Sequence, residues 1–329
     1  MDPAFIQEIF AIRDTDTFRE LALKVFRFQA GQNEIFAAYL EALGVDYSGI
    51  TELEEVPFLP VEFFKTHRVT CRGMEHHLLF ESSGTSEMTP ALHYVADAAL
   101  YQKSFTNGFR YFYGDPDQYC ILALLPSYLE RQGSSLVYMM NHLIRQSGHP
   151  DSGFYLDNLD ELSAILRNRN EDVHPTLLMG VSFALLELAE QYPLKLGDNI
   201  IVMETGGMKG RRREMVRSEL HDLLEKAFGI RPIHSEYGMT ELLSQAYSKG
   251  GGLFRTPPWM KVMIRDTNDP LSLVGTGKSG GINVIDLANL YSCSFIATGD
   301  LGKVYEDDTF EILGRFDHTD VRGCNLLVT

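Results

Sequence analysis

The chain has 329 residues, 44% hydrophobic and 22% charged, with a formal net charge of −16. That length suits one large domain or two, with a sizeable core. The acidic balance speaks against nonspecific binding to nucleic acid and against docking on anionic membrane, and no apolar run is long enough to span a bilayer.

Residues 1–55 read as a helical segment. Phe18, Leu21, Val25 and Phe28 recur at helical spacing, as do Ile35, Ala38, Tyr39 and Leu43. Asp14 or Asp16 is placed to cap the first of these helices. Val56-Pro57-Phe58-Leu59-Pro60 follows as a rigid extended link. Residues 56–250 form the expected α/β core, with strands at 120–125, 153–156, 176–181, 199–204 and 231–235. Helices are expected between them at 134–146, 159–167, 183–191 and 211–228. The alternation implies a parallel sheet with covering helices, which puts a ligand at the carboxyl ends of the strands. From 251 to 329 the pattern changes to a smaller β-rich subdomain and tail, with short strands at 261–265, 281–287, 292–297, 303–306 and 310–313. Asp307-Asp308 reads as a hairpin turn there.

The four cysteines, Cys71, Cys120, Cys293 and Cys324, form no CxxC pair, so no zinc site is expected. The N-terminus is acidic rather than cationic, and a reducing cytoplasm is the expected compartment.

Four segments carry candidate chemistry. Ser82-Ser83-Gly84-Thr85-Ser86 has the composition of a phosphate-cradling loop: small residues, hydroxyls and a glycine that lets backbone N–H groups face an anion. Taken alone it reads as a plain serine-rich turn. Ser235-Glu236-Tyr237-Gly238-Met239-Thr240-Glu241 follows later, and its plain alternative is a strand end leading into a helix capped by Thr240 and Glu241. Ala297-Thr298-Gly299-Asp300-Leu301 is the third, with a β-turn as its alternative. Gly314-Arg315-Phe316-Asp317, followed by Arg322-Gly323, is the fourth, where Arg315 could simply serve a surface salt bridge. Glu204-Thr205-Gly206-Gly207 ends an expected strand, and its glycines permit close backbone approach to a nucleotide. Lys209, Arg211, Arg212 and Arg213 after it suggest an anion site, though a charge run at a helix start is more often a solvated face.

In this order the four segments resemble the core motifs of adenylate-forming enzymes, which activate carboxylic acids with ATP. The resemblance implies ATP and Mg2+ as cofactors and an α/β large domain. It implies that Ser82, Ser83, Gly84, Thr85 and Ser86 hold the β- and γ-phosphates of ATP. It sets the Tyr237 ring and Gly238 against adenine, with Gly206 and Gly207 on the same side. Thr240 then helps bind phosphate and Glu241 holds Mg2+, as a hard cation prefers a carboxylate. Asp300 would accept both ribose hydroxyls, and Arg315 would reach the ribose or phosphate side. The family loop continues with a glycine and a lysine. Glu87-Met88-Thr89-Pro90 offers neither, so pyrophosphate must be neutralised from elsewhere. Acyl-CoA ligases run on into a mobile lid with a catalytic lysine, and with the sequence ending at Thr329 that lid is expected to be absent or reduced.

One branch suits a short chain. The sequence looks like the LuxE-type acyl-protein synthetases, the fatty-acid–protein ligases of bacterial fatty-acid reductase systems. In them a cysteine near the C-terminus accepts the acyl group from the acyl-adenylate. Cys324, within Val321-Arg322-Gly323-Cys324-Asn325, matches it, and Arg322 would favour its thiolate. The partners so implied are a fatty acid or other carboxylic acid and an acyl reductase or acyl carrier protein. Met179 and Phe183 are candidates for the acyl pocket, and His142 and His234 for pocket or base roles; each is otherwise an ordinary core residue. Two rivals remain: a CoA or carrier-protein ligase lacking its lid, and a nucleotide-binding protein without catalysis. No GxxxxGK[ST] and no GxGxxG after a strand is present, which sets aside P-loop kinases and Rossmann dehydrogenases.

Overall fold

A computed structural model of the chain describes residues 3–82, 89–126, 133–156, 158–207 and 215–316. The N-terminal region is helical, as its periodicity implies: α1 (Pro3–Phe10), α2 (Thr15–Gln32) and α3 (Glu34–Ala42). Of the two candidate caps, Asp14 starts α2, accepting the Thr17 amide at 2.8 Å. Asn33 ends α2 and caps α3, its side-chain oxygen accepting from the Ile35 and Phe36 amides.

The expected extended link is a short strand, β1 (Leu59–Pro60), followed by a single helical turn, α4 (Phe63–Thr66). Strands β2 (Leu78–Glu81) and β3 (Leu92–Val95) form an antiparallel hairpin. The long helix α5 (Ala98–Tyr113), capped by Asp97, is hidden in the sequence by its aromatic content and by Gly108, all poor helix formers. Tertiary burial of Leu100, Tyr101, Phe105 and Phe109 stabilises it.

The α/β body runs β4 (Cys120–Leu124), α6 (Ser135–Ser147), β5 (Gly153–Tyr155), α7 (Leu159–Arg169), β6 (Thr176–Val181), α8 (Ser182–Gln191), β7 (Ile200–Thr205), α9 (Arg217–Phe228) and β8 (His234–Tyr237). An antiparallel strand β9 (Ala246–Ser248) closes its edge. The sheet order is β5-β4-β6-β7-β8-β9, parallel from β5 to β8. Strands β4 and β6 are buried at every position, as a doubly covered parallel sheet requires. Strand β8 lies at 234–237 rather than 231–235: Pro232 has no N–H to give to a ladder.

The second sheet comprises β10 (Met260–Arg265), β11 (Ser279–Asp286), β12 (Phe295–Val304) and β13 (Phe310–Arg315), with β1 pairing in parallel on β12. The strands expected at 292–297 and 303–306 are one long strand, β12, which crosses a register shift at Leu301/Gly302. Asp308, at φ 59°, turns the chain between β12 and β13 at the expected Asp307-Asp308. The N-terminal helices lie on this sheet. Phe26 meets Phe295 with ring centroids 5.7 Å apart, and the buried Gln29 donates to the carbonyls of Asn289 and Leu290 at 3.0 and 2.9 Å. The buried apolar side chains form one continuous cluster across both sheets. Among the described residues no helix is long and apolar enough to cross a membrane.

Candidate active site

Register places Thr205 of β7 opposite Glu236 of β8, which brings Gly206 beside Tyr237 at the carboxyl ends of the strands. Side chains alternate across a strand, so neighbours along β8 serve opposite faces of the sheet. Glu204, Ser235 and Tyr237 face α9 and the second sheet. Thr205 and Glu236 face α5.

On the α9 side, Glu204 is buried and accepts from Arg217 Nε at 2.9 Å and Ser182 Oγ at 3.2 Å, with His221 Nε2 at 3.6 Å. Burial alone would raise its carboxyl, but His221 and the Arg217 charge hold it below its ordinary value. The Tyr237 ring stands against Phe254 and Phe310, with centroids at 6.1 and 5.9 Å. Its hydroxyl donates to Asp300 Oδ2 at 2.8 Å, and Arg315 Nε donates to Asp300 Oδ1 at 3.0 Å. Asp300 and Arg315 face each other across the β12–β13 ladder. The turn alternative for Thr298-Gly299-Asp300 therefore fails, because this tripeptide is mid-strand. Arg315 does form a salt bridge with a largely exposed side chain, but its partner Asp300 is buried at the site.

Sequence reasoning misses what holds Asp300 in place. Arg265 is buried, and its guanidinium donates to the Ile282 carbonyl at 2.6 Å, Asn283 Oδ1 at 2.9 Å and the Thr298 carbonyl at 2.5 Å. Thr298 Oγ1 in turn donates to the Ile282 carbonyl at 2.9 Å and accepts from the Asp300 amide at 3.1 Å. The guanidinium occupies the space a side chain on the facing Gly281 would need: a Cβ there would lie 2.5 Å from Arg265 Cζ. The available signal is the Gly280-Gly281 pair opposite Arg265.

The chain after β8 forms a turn and no helix, so Thr240 and Glu241 are not helix caps. Its backbone is held from outside. The Thr240 carbonyl lies 2.8 Å from His93 Nδ1, Asn289 Nδ2 donates to the Glu241 carbonyl at 2.7 Å, and the Asp286 carboxylate accepts the Leu243 and Ser244 amides at 2.8 and 2.9 Å. Burial pushes the Glu241 carboxyl up to about 7, while Arg315 and Lys65 draw it down and Asp300 raises it further. Its own backbone amide also donates to that carboxyl and lowers it, whereas Arg315, Lys65 and Asp300 act on it through charge alone.

On the α5 side, the Thr205 hydroxyl donates to Glu236 Oε2. Glu236 Oε1 fills the hollow over Gly238, where a Cβ would lie 2.5 Å from it. Burial pushes the Glu236 carboxyl up to about 7; Thr205 opposes the rise and the Glu204 charge adds to it. Gln245 flanks the same hollow, and its Oε1 has no partner among the described residues.

The remaining candidates fall as follows. Ser82 closes the β2–β3 hairpin, its hydroxyl accepting the Ala91 amide at 2.8 Å. Ser83, Gly84, Thr85, Ser86 and Cys324 lie outside the described residues, as do Lys209, Arg211, Arg212, Arg213, Arg322 and Gly323. Gly206 needs its φ of 67°, and its carbonyl accepts from Ser182 Oγ at 3.1 Å; Gly207 is exposed. Met179 and Phe183 are buried in the core. His234 contacts the Tyr113 hydroxyl at 3.1 Å and is driven down to about 4 by burial, and burial also lowers His142. Cys71, Cys120 and Cys293 are free and buried, which pushes their thiols up to about 12, 11 and 12. Cys120 also groups with His149 and Asp151 where the parallel strands begin, but Arg169 Nη1 stands 3.0 Å from His149 Nε2 and opposes a cation there.

Solved structures with this fold include ATP-bound MatB from Rhodopseudomonas palustris, at 16% identity and TM-score 0.54 over 72% of this chain and 47% of that chain. The ATP-bound RpMatB-BxBclM chimera B3 matches at 18% and 0.56 over 74% and 49%. An open conformation of 2-hydroxyisobutyryl-CoA ligase in complex with 2-HIB-AMP and CoA matches at 13% and 0.68 over 92% and 70%. The chain thus spans about half the length of the MatB structures. The fold is that of the adenylate-forming ligases. Within that class the chain belongs to the acyl-protein synthetase, LuxE family, whose model matches residues 13–329. No curated protein matches the sequence.

Proposed function

We propose that the protein activates a fatty acid with ATP and transfers the acyl group to its own Cys324, for collection by an acyl reductase. The observation that carries this reading is the convergence of segments far apart in sequence. Glu204–Gly207, Ser235–Glu241, Thr298–Asp300 and Gly314–Phe316 meet between the two sheets, joined by the Tyr237–Asp300–Arg315 contacts. A flat ring beside a glycine-lined strand end suits a purine, and a carboxylate with two oxygens at a strand centre suits a ribose diol.

The Glu241 carboxyl, buried and without a cationic hydrogen-bond donor among the described residues, fits a hard cation. Glu241 would hold Mg2+, which when bound neutralises phosphate charge. In the first step the fatty carboxylate attacks the α-phosphorus of ATP, forming acyl-AMP and expelling pyrophosphate. In the second the Cys324 thiolate attacks the acyl carbonyl and AMP leaves. The three described cysteines support this choice of acceptor, since burial suppresses their thiolates.

The test is intact-protein mass after incubation with Mg-ATP and medium- to long-chain fatty acids. A hydroxylamine-labile gain, lost in Cys324→Ser while pyrophosphate exchange persists, is the expected result. AMP release that requires added CoA, with no protein adduct, would instead assign an external thiol acceptor. ATP binding with neither product would assign a binding protein.

A further inference from the structure

His93 is fully buried on β3, directly opposite Phe80 of β2. It belongs to no candidate motif, yet it reaches across the molecule to the turn that carries Thr240 and Glu241. Its Nδ1 lies 2.8 Å from the Thr240 carbonyl and its Nε2 lies 3.1 Å from Asn289 Oδ1. The Asn289 amide is fixed in orientation, because its Nδ2 donates to the carbonyls of Glu241 and Cys293 at 2.7 and 2.9 Å. Both imidazole nitrogens therefore face acceptors, and a neutral ring has only one N–H to offer. The shorter contact is with Thr240, whose backbone carbonyl can do nothing but accept. Two successive carbonyls, those of Thr240 and Glu241, are thus held by His93 and Asn289. The amides of Leu243 and Ser244 are held by Asp286. The Phe64 and His93 rings pack edge to face, with centroids 5.6 Å apart.

We infer that His93 is a positioning residue for the Thr240–Glu241 half of the site: its Nδ1–H clamps the Thr240 carbonyl and so fixes where the Thr240 hydroxyl and Glu241 carboxylate stand relative to the β2–β3 hairpin. The inference deepens the proposed ATP chemistry and rests on it for the role of those two side chains. Deep burial drives His93 down to about 4, in keeping with a neutral ring and a single donor.

Two substitutions separate this role from simple packing. His93→Asn places an amide N–H near the former Nδ1, whereas His93→Gln places one near the former Nε2. Both remove the ring from Phe64. Three readouts apply to each: thermal midpoint, hydrogen exchange of the amides in residues 239–244, and Kd for Mg-ATP. With midpoints lowered alike, the Gln variant is expected to lose protection at 239–244 and to bind Mg-ATP roughly tenfold more weakly, the Asn variant to stay within about threefold of wild type. Equal losses in the two variants, or no loss in either, overturn the inference. Should neither variant fold, ring 15N shifts of His93 in the wild-type chain decide: a protonated Nδ1 supports the clamp and a protonated Nε2 with bare Nδ1 overturns it. Wild-type protein that shows no pyrophosphate exchange refutes the proposed activity instead, and the exchange protection at 239–244 still judges His93.

Discussion

Glu236→Gln tests the electrostatics of the site most directly. In the folded chain burial holds the Glu236 carboxyl at about 7, against an ordinary value of 4.5. Between those values the native state keeps a proton that the unfolded chain has released. Stability contributed by this group is therefore full below pH 4.5 and is lost as pH rises through 7. The gap of about 2.5 pH units, at about 1.4 kcal/mol each, amounts to roughly 3 kcal/mol. An amide at this position does not titrate. Its oxygen can still accept from the Thr205 hydroxyl, and Gln245, whose Oε1 has no partner among the described residues, lies on the same flank of Gly238. Urea unfolding of both proteins at pH 5, 6, 7 and 8 isolates the effect, since Glu241 and Asp286, which burial also raises, are common to both. The stability of the variant relative to wild type is expected to climb by about 2.5 kcal/mol over that range, most of it before pH 7. A difference that stays flat, or falls with pH, would refute the view that Glu236 is kept as a neutral acid.

Two further outcomes follow from the same contacts. Gly238→Ala puts a Cβ 2.5 Å from Glu236 Oε1, and calorimetry should find it destabilised by about 1–3 kcal/mol; Glu236→Ala in the same chain should relieve most of that loss, and simple additivity of the two would exclude the clash. Asp300→Asn keeps the size of the group but takes one acceptor from the Tyr237–Arg315 pair, and titration calorimetry should show Mg-ATP binding weakened about tenfold or more; unchanged affinity would place the ribose elsewhere.

The parts of the fold legible in the sequence are those governed by local rules. The βα alternation from Cys120 to Tyr237 declares itself by period and by apolar runs that only a doubly covered sheet can bury. The Asp14 cap and the Asp307-Asp308 turn are equally local. What stays hidden depends on partners distant in sequence. Helix α5 looks poor by propensity and forms because its aromatic side is covered. Arg265 resembles a surface charge until three carbonyl-type acceptors from β11 and β12 surround it. His93 lies 147 residues from Thr240, and nothing in its own neighbourhood announces the contact. The motif segments are legible as motifs, whereas the choice between turn, cap and strand depends on the second sheet.

The two carboxyls at the ends of β7 and β8 show why that choice cannot be local. Glu204 and Glu236 are both buried and sit on directly adjacent strands, so ionising both would set two like charges together in a poorly solvated place. The α9 face supplies Arg217 and His221, and Glu204 is held ionised. The α5 face supplies a hydroxyl from Thr205 and no cation among the described contacts, and Glu236 stays protonated to about pH 7. The strand period decides which face each carboxyl meets, and the faces decide their charge. A one-residue slip of β8 against β7 would exchange Glu236 with its neighbours Ser235 and Tyr237, removing the Tyr237 hydroxyl from Asp300 and turning an acid towards Phe254 and Phe310. The register that buries one neutral acid is thus the same register that delivers Tyr237 to Asp300, and neither can be changed without the other.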